Sequence, residues 1–379
     1  MALKAQNSPE PEAWIGDAPA SVEDAAAAAA QLLNQSGQAL IAGLGADVAG
    51  ARVAIAIAER IGGVVDHVRS AALMRDLDCL RETGVMITTP GEARVRADLV
   101  LLVGDAFTET WPALNERLLR APAKPDGAQV KRRIIWLAPN TEAKIDGFEG
   151  QIEIVAAGVG AALAANLAAV RAHVKGRRIA QSGLPPPALD ALAAALKGAR
   201  FGVAVSASAR LEALELEMLN GLVRDLNETT RFSTLPLSPP DNAAGVLATC
   251  GWMMGFPVRT GFGSGAPAHD PWRFNAERLV ASGETDCVLW IAAFGAPPPT
   301  WPATLSVIAV CDSTTHFATA PNVRISVGRP GVDYDAVLHS PETGTLIAVS
   351  ASAPTSTLSL AQGLERIAER LSEASPPQC

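Results

Sequence analysis

The sequence predicts an α/β fold with two parallel-sheet units related by internal duplication. Two observations carry this expectation. Apolar runs without polar alternation recur between helical stretches with short connections, which is the pattern of parallel strands covered on both faces. One phrase is also written twice. Residues 97–114 read ADLVLLVGDAFTETWPAL and residues 285–305 read TDCVLWIAAFGAPPPTWPATL. Each runs Asp, apolar strand, glycine turn, Thr-Trp-Pro-Ala. At 379 residues, the chain has room for two domains of roughly 100–200 residues each.

The elements follow in order. Ser21-Val22-Glu23-Asp24 resembles a capping box and opens an alanine-rich helix that Gly37 ends. Gln38 to Ala42 is a short apolar strand, Gly43 to Asp47 a turn, and Val48 to Ile61 a helix with Val53, Ile57 and Ile61 on one stripe. Val64-Val65-Asp66 begins a strand after Gly62-Gly63, and Met86 to Thr89 is a further candidate. Asp98 to Val103 is a strand, and Pro112 suits the first turn of a following helix. Arg133 to Leu137 and Gln151 to Val155 are strands, and Ala161 to Val174 is a helix. Gly183-Leu184-Pro185-Pro186-Pro187 reads as a rigid connector, followed by a helix at Asp190 to Lys197 and, from Arg200 to Val205, the start of a second sheet.

The repeat extends beyond one phrase. Asp47 and Asp241 each open a helix that a glycine closes, and the next Asp-strand follows after 51 and 45 residues. Gly91-Glu92 precedes Asp98 as Gly283-Glu284 precedes Asp286. The expected organisation is an N-terminal arm at 1–20, flexible or partner-bound, then Rossmann-like units at 21–182 and 183–318, and C-terminal strands and a helix at 319–379.

Composition narrows the function classes. The net charge is −8 and the basic residues read as scattered singly, which argues against nucleic acid. Aromatic residues make up only 4%, too few for base-stacking platforms. Cys79, Cys250, Cys287, Cys311 and Cys379 form no C-x-x-C pair, so neither a zinc nor an iron–sulfur spacing is present. They read as reduced thiols in a cytoplasmic protein. The first nineteen residues hold no apolar segment of a secretory signal, and no run reaches the ~18 apolar residues of a membrane span.

Candidate chemistry is sparse. Gly43-Leu44-Gly45 resembles the start of G-x-G-x-x-G, but position 48 is Val. Asp47 there reads as a helix cap whose charge opposes a phosphate. Asp312 and His316 could pair on a metal but suit a capped turn better, and His269-Asp270-Pro271 reads as a turn. Glu212, Glu215 and Glu217 read as the solvated side of a helix whose Leu211, Leu214 and Met218 face inward. Neither a G-x-S-x-G elbow nor a P-loop occurs.

Four segments carry a resemblance. VVDHVRSAALM (64–74), ADLVLLVGDAFTETWP (97–112), DNAAGVLATCGWMMGFPVRTGFGSGAP (241–267) and VGRPGVDYDAVLHSPETG (327–344) resemble the B subunit of formylmethanofuran dehydrogenase, a family with the molybdopterin-oxidoreductase fold. The resemblance implies two Rossmann-like units, one inserted in the other, so that the last strands are free to return to the first unit. It also shows departures. Catalytic members carry a cysteine-rich iron–sulfur segment at the start, whereas the first cysteine here is Cys79. They place a Cys or selenocysteine metal ligand just after the Val-Val-Asp strand, where this chain has Ala71. A methyl group cannot bind molybdenum or tungsten.

The departures resemble the B subunit of the formyltransferase/hydrolase complexes of aerobic methylotrophs. That resemblance implies a non-catalytic structural subunit in one-carbon metabolism. Its partners would be three sibling subunits: an amidohydrolase-type hydrolase (A), a formyltransferase (D) and a third chain (C). The implied complex moves a formyl group from tetrahydromethanopterin to a methanofuran-like carrier and hydrolyses it to formate. No catalytic, cofactor-binding or metal-ligating residue is assigned to this chain, and no cofactor is expected. The alternatives are an active molybdenum or tungsten oxidoreductase and an unrelated nucleotide-binding Rossmann enzyme.

Overall fold

The computed structural model describes residues 12–125, 127, 129–138, 152–156, 163–179 and 183–371. The chain forms two compact units. One comprises Met1–Ser70, Asp241–His339 and Leu346–Cys379, and the other comprises Ala71–Pro240 and Ser340–Thr345. The chain thus leaves the first unit after Ser70 and returns at Asp241. The expected boundaries at 182/183 and 318/319 differ from this partition.

The first unit holds a nine-stranded sheet. Its centre is five parallel strands, in spatial order Val64–Val65, Ala39–Gly45, Cys287–Ala292, Ser306–Asp312 and Val323–Val327. Antiparallel pairs extend both sides. Thr260–Gly261 and Ala268–His269 lie beyond Val64–Val65, and the hairpin Ala13–Ile15/Ala18–Ala20 lies beyond Val323–Val327. Residues 12–20, expected to belong to an arm, are therefore sheet in their described part. Ala13 is fully buried and the Arg324 guanidinium lies 4.9 Å from the Trp14 ring centroid.

The helices of this unit begin where side chains satisfy their first free N–H groups. The Ser21 hydroxyl accepts from the Asp24 backbone at 3.0 Å to open Val22–Gln35. The Asp47 carboxylate accepts from Gly50 at 3.1 Å to open Val48–Ile61, which Gly62 closes in the left-handed conformation. The C-terminal helix Leu360–Ala368 starts with a Ser359/Gln362 capping box and packs closely on Val48–Ile61. A Cβ at Gly50 would collide with Leu360, so glycine is required there.

The second unit is built on five parallel strands, in spatial order Ile152–Ala156, Arg133–Ala138, Leu99–Val103, Gly202–Ala207 and Phe232–Leu237. One face of the sheet buries Leu167, Leu192, Leu219 and Leu222 from the helices Leu163–Val174, Pro186–Lys197 and Ala213–Leu226. The other buries Phe107, Trp111, Leu114 and Trp136, with Phe107 edge-on to Trp136 at 6.0 Å.

Several expectations change here. Gly202–Ala207 does not start a second sheet. It pairs with Leu99–Val103, because the Asp98 carboxylate draws in the backbone N–H groups of Arg200 at 3.0 Å and Phe201 at 2.9 Å. The proline connector lies inside this unit, with Pro186 in the first turn of the helix Pro186–Lys197. Met86–Thr89 makes only a single bridge, Ile87 to Thr234. Pro112 lies between the short helix Phe107–Thr110 and the π-helical segment Asn115–Leu119, just ahead of that following helix rather than inside its first turn. Leu211 is buried and Met218 packs against the core, as expected, but Leu214 is 56% exposed, and Leu216, Leu219 and Leu222 complete the buried stripe. The first residues of the helix expected at Ala161 lie outside the described residues.

The two copies of the doubled phrase fall in different units. Leu99–Val103 is the middle strand of the five-stranded sheet, and Cys287–Ala292 lies inside the nine-stranded one.

Candidate functional site

In open α/β sheets, ligands sit beyond the carboxyl ends of the strands where the strand order reverses. In the first unit that edge lies around Gly45, Asp66 and Asp241. The backbone there is unusual. Leu44, Asp241, Asn242 and Arg259 all adopt positive φ between 52° and 62°. Such a conformation costs a non-glycine residue about 1 kcal/mol or more and persists only where its surroundings enforce it.

Hydrogen bonds do the enforcing. The Asn242 side chain donates to the Ala46 carbonyl at 2.7 Å and accepts from the His339 backbone at 2.9 Å. Arg69 Nε donates to the Asp241 carboxylate at 2.9 Å. The Arg259 backbone donates to the Val65 carbonyl at 2.8 Å, and its guanidinium reaches the Ser70 hydroxyl.

Asp66 and His67 lie beneath this layer, at 2% and 3% exposure. The Asp66 carboxylate accepts from the backbone of His67 and of Ala276, both at 2.9 Å, with Arg259 at 3.7 Å. Burial outweighs these donors and pushes its pKa up to about 6. His67 Nδ1 accepts from the Arg69 backbone at 2.9 Å, so the ring proton sits on Nε2, which faces the Asp241 carbonyl at 3.3 Å. Burial brings the imidazole pKa down to about 4, so the ring is neutral at pH 7. Both ring nitrogens are used internally. This leaves no lone pair for a metal or a substrate proton.

The other sequence candidates resolve the same way. Gly43–Gly45 belongs to the strand rather than to a turn, and the helix start beyond it is occupied by the buried Asp47 carboxylate, whose pKa burial raises. Asp312 accepts from the Thr314 backbone at 2.8 Å and makes a local turn, with His316 exposed beyond it. Asp270 accepts from Trp272 and Arg273 in another turn. Glu212 and Glu215 form a capping box at the start of Ala213–Leu226. Among the described residues, no three of His, Cys, Asp and Glu converge on a metal position.

Ala71 is an exposed residue in the first turn of the helix Ser70–Thr83. Cys79 lies eight residues on, about 12 Å along the helix. Its thiol pKa is raised by burial and by Asp76, Glu217, Asp78 and Glu82. Burial pushes Cys250 and Cys287 up to about 12 and also raises Cys311. None of these four thiols is prepared as a thiolate ligand.

The Asp66–His67–Asp241 network was missed in the sequence. Its one visible signal was a charged pair directly after an apolar strand, in Val64-Val65-Asp66-His67.

Comparison with known proteins identifies the class. The chain is 33% identical, over 95% of its length and 98% of the relative's, to the B subunit of the formyltransferase/hydrolase complex Fhc of Methylorubrum extorquens. It is 26% identical over 70% of its length to the B subunit of a tungsten-containing formylmethanofuran dehydrogenase of Methanocaldococcus jannaschii, of which it spans 62%. It superposes with a TM-score of 0.83, at 33% identity and over 94% of its length, on a chain of the crystal structure of the Methylorubrum extorquens complex FhcABCD with methylofuran. No family model matches the chain. The chain is thus related to the B subunits of formylmethanofuran dehydrogenases. Within that class it belongs to the family of Fhc B subunits.

A tungsten-containing relative raises the question of fit. The donor set here does not suit such a centre. Ala71 offers a methyl group, His67 is fully engaged, and burial holds the four described thiols protonated.

Proposed function

We propose that this chain is the non-catalytic, structural B subunit of a formyltransferase/hydrolase complex. The complex converts formyl-tetrahydromethanopterin to formate through a formylated methanofuran-like carrier. Formyl transfer and hydrolysis belong to the sibling A, C and D chains, and this chain holds them together in the cytoplasm. The end-to-end match to one chain of such a complex carries the reading. Two features of the chain support it.

The first is a helix without charge. Ala243–Met254 contains no ionisable group except Cys250, and it is apolar on all sides. A helix of that kind is normally buried, yet Trp252 is 66% exposed and Met253 and Phe256 are more than a third exposed. Large apolar side chains exposed together at one helix end suit an assembly face. The second is the internal wiring of the site, where His67, Asp66 and Asp47 are consumed by structure.

We read the two units as Rossmann-like and descended from one. Asp98 and Asp286, at corresponding places in the doubled phrase, do the same work. Each carboxylate holds the start of one neighbouring strand, and each carbonyl accepts from the start of the other, Arg133 at 2.8 Å and Ser306 at 3.0 Å.

The test is purification from the native host through a tag on this chain. Co-elution of formyltransferase and hydrolase chains, with both activities, supports the assembly role. Recovery of the chain alone and monodisperse would argue against it.

A further inference from the structure

We infer that the amino-terminal edge of the five-stranded sheet is a docking surface for an acidic polypeptide segment. This is the end of the sheet opposite to the one where α/β ligands normally sit.

The charge distribution points to it. The second unit carries twenty Lys and Arg against twenty Asp and Glu, while the first carries eleven against nineteen, so the chain's whole excess of −8 lies on the first unit. Within the balanced unit the bases are gathered. Three clefts, of about 450, 620 and 550 Å³, run along the strand starts. Neighbouring clefts share lining residues, Arg200 for one pair and Lys131 for the other. Among the described residues they are lined by seven bases and one acid. Arg132 is spent on buried carbonyls, Arg96 pairs with Glu92 and Arg133 with Glu153, and Arg120, Lys131, Arg200 and Arg231 complete the set. The acid is Asp98, whose oxygens already accept from the Arg200 and Phe201 backbones.

Position in the sheet explains the gathering. Lys131, Arg96, Arg200 and Arg231 each lie one to three residues before one of four adjacent parallel strands. Strands about 4.8 Å apart place these chain positions in a row about 14 Å long. Arg120 extends the row along the cleft it shares with Lys131.

The shape selects the ligand. The row is long and shallow, and side-chain guanidinium and ammonium groups supply its positive charge. An extended chain bearing several carboxylates can follow it, each carboxylate meeting a guanidinium fork. A nucleic acid strand would need stacking faces. Phe201, the one aromatic among the described lining residues, is buried beneath the Arg96 guanidinium. Where the acidic segment lies on a sibling chain, the inference rests on the assembly reading. Its test does not require a sibling.

The full-length chain is titrated against a fluorescent all-glutamate decapeptide, with inorganic tripolyphosphate and a single-stranded oligonucleotide as parallel probes. The expected result is saturable peptide binding that weakens about tenfold or more between low and moderate salt, as for solvent-exposed charge pairs. Arg120→Ala, Lys131→Ala, Arg200→Ala and Arg231→Ala combined should abolish binding. Arg52→Ala, Arg81→Ala, Arg177→Ala and Arg178→Ala combined, which remove as much charge elsewhere, should leave it. Unchanged melting and the single Arg231→Glu variant guard against misfolding. No peptide binding, binding equal in both quadruple variants, or variant-sensitive binding of tripolyphosphate or oligonucleotide in place of peptide would overturn the inference. Each of these outcomes leaves co-purification of siblings to be decided separately.

Discussion

The Asp286 carboxylate accepts the backbone N–H of Gly37 at 2.8 Å, joining points 249 residues apart in the chain. The same carboxylate accepts from the Ser36 hydroxyl. It thereby fixes where the strand Ala39–Gly45 starts beside Cys287–Ala292. Asp286 is exposed and Asp98 half-buried, so losing an acceptor that holds several donors costs about the net worth of one hydrogen bond, about 0.5–1.5 kcal/mol. Asp286→Ala should lower unfolding stability by about that much, and Asp98→Ala likewise. Glu284→Ala, which breaks a solvent-screened surface contact to Arg278, should change it less than either. Urea unfolding midpoints check all three.

Arg132 should be costlier still. It is 7% exposed and its guanidinium donates to carbonyls of Ala97, Leu118, Ala121, Ala93 and Arg94. Arg132→Ala strands all of them, and a loss above about 3 kcal/mol is expected. Its neighbour Lys131 is exposed, and Lys131→Ala should be nearly neutral. Equal effects in the two variants would contradict the structural role.

Much of the architecture was legible from local chemistry. Asp47 before Val48 and Gly62 after Ile61 bound a helix whose ends match the expectation. The strands at 99–103 and 133–138 were visible as unbroken apolar runs. Sheet membership was not legible. Strand pairing depends on non-local partners such as Asp98 with Phe201, and nothing in the Pro185–Pro187 run reveals that the same sheet continues beyond it. The bases read as scattered singly are gathered only by the fold, and Arg132 differs from Lys131 and Arg133 only by being buried. The departure from the metal-ligand pattern was legible at Ala71, but the engagement of both His67 ring nitrogens was visible only in its hydrogen bonds.

The site predicts an unusual pH response. His67 has a lowered pKa, about 4 against an ordinary 6.5, so its contribution to stability is complete above 6.5 and is lost as pH falls through 4. Asp66 has a raised pKa, about 6 against 3.8, so its contribution is complete below 3.8 and is lost as pH rises through 6. The two trends oppose one another between pH 4 and 6. In His67→Asn only the Asp66 trend remains. The change in unfolding midpoint from pH 7 to pH 5 should therefore be more favourable in the variant than in the parent. An identical change in both would refute the assignment.

Thiol chemistry should be quiet. With Cys250, Cys287 and Cys311 buried and the Cys79 pKa raised by burial and by its acidic neighbours, maleimide at pH 7 should label these four slowly in the folded chain and rapidly in denaturant. Peptide mapping after brief exposure reads this directly.

The apolar helix end should matter to assembly. Trp252→Ser with Phe256→Ser should reduce aggregation of the chain made alone and weaken recovery of sibling chains through it. Recovery at the parental level would place the interface elsewhere.

The most direct test of the central claim is elemental analysis for tungsten, molybdenum and iron on the native assembly purified through this chain. Far less than one metal per chain is expected in a preparation that transfers and hydrolyses formyl groups. One tungsten or molybdenum per chain would contradict it.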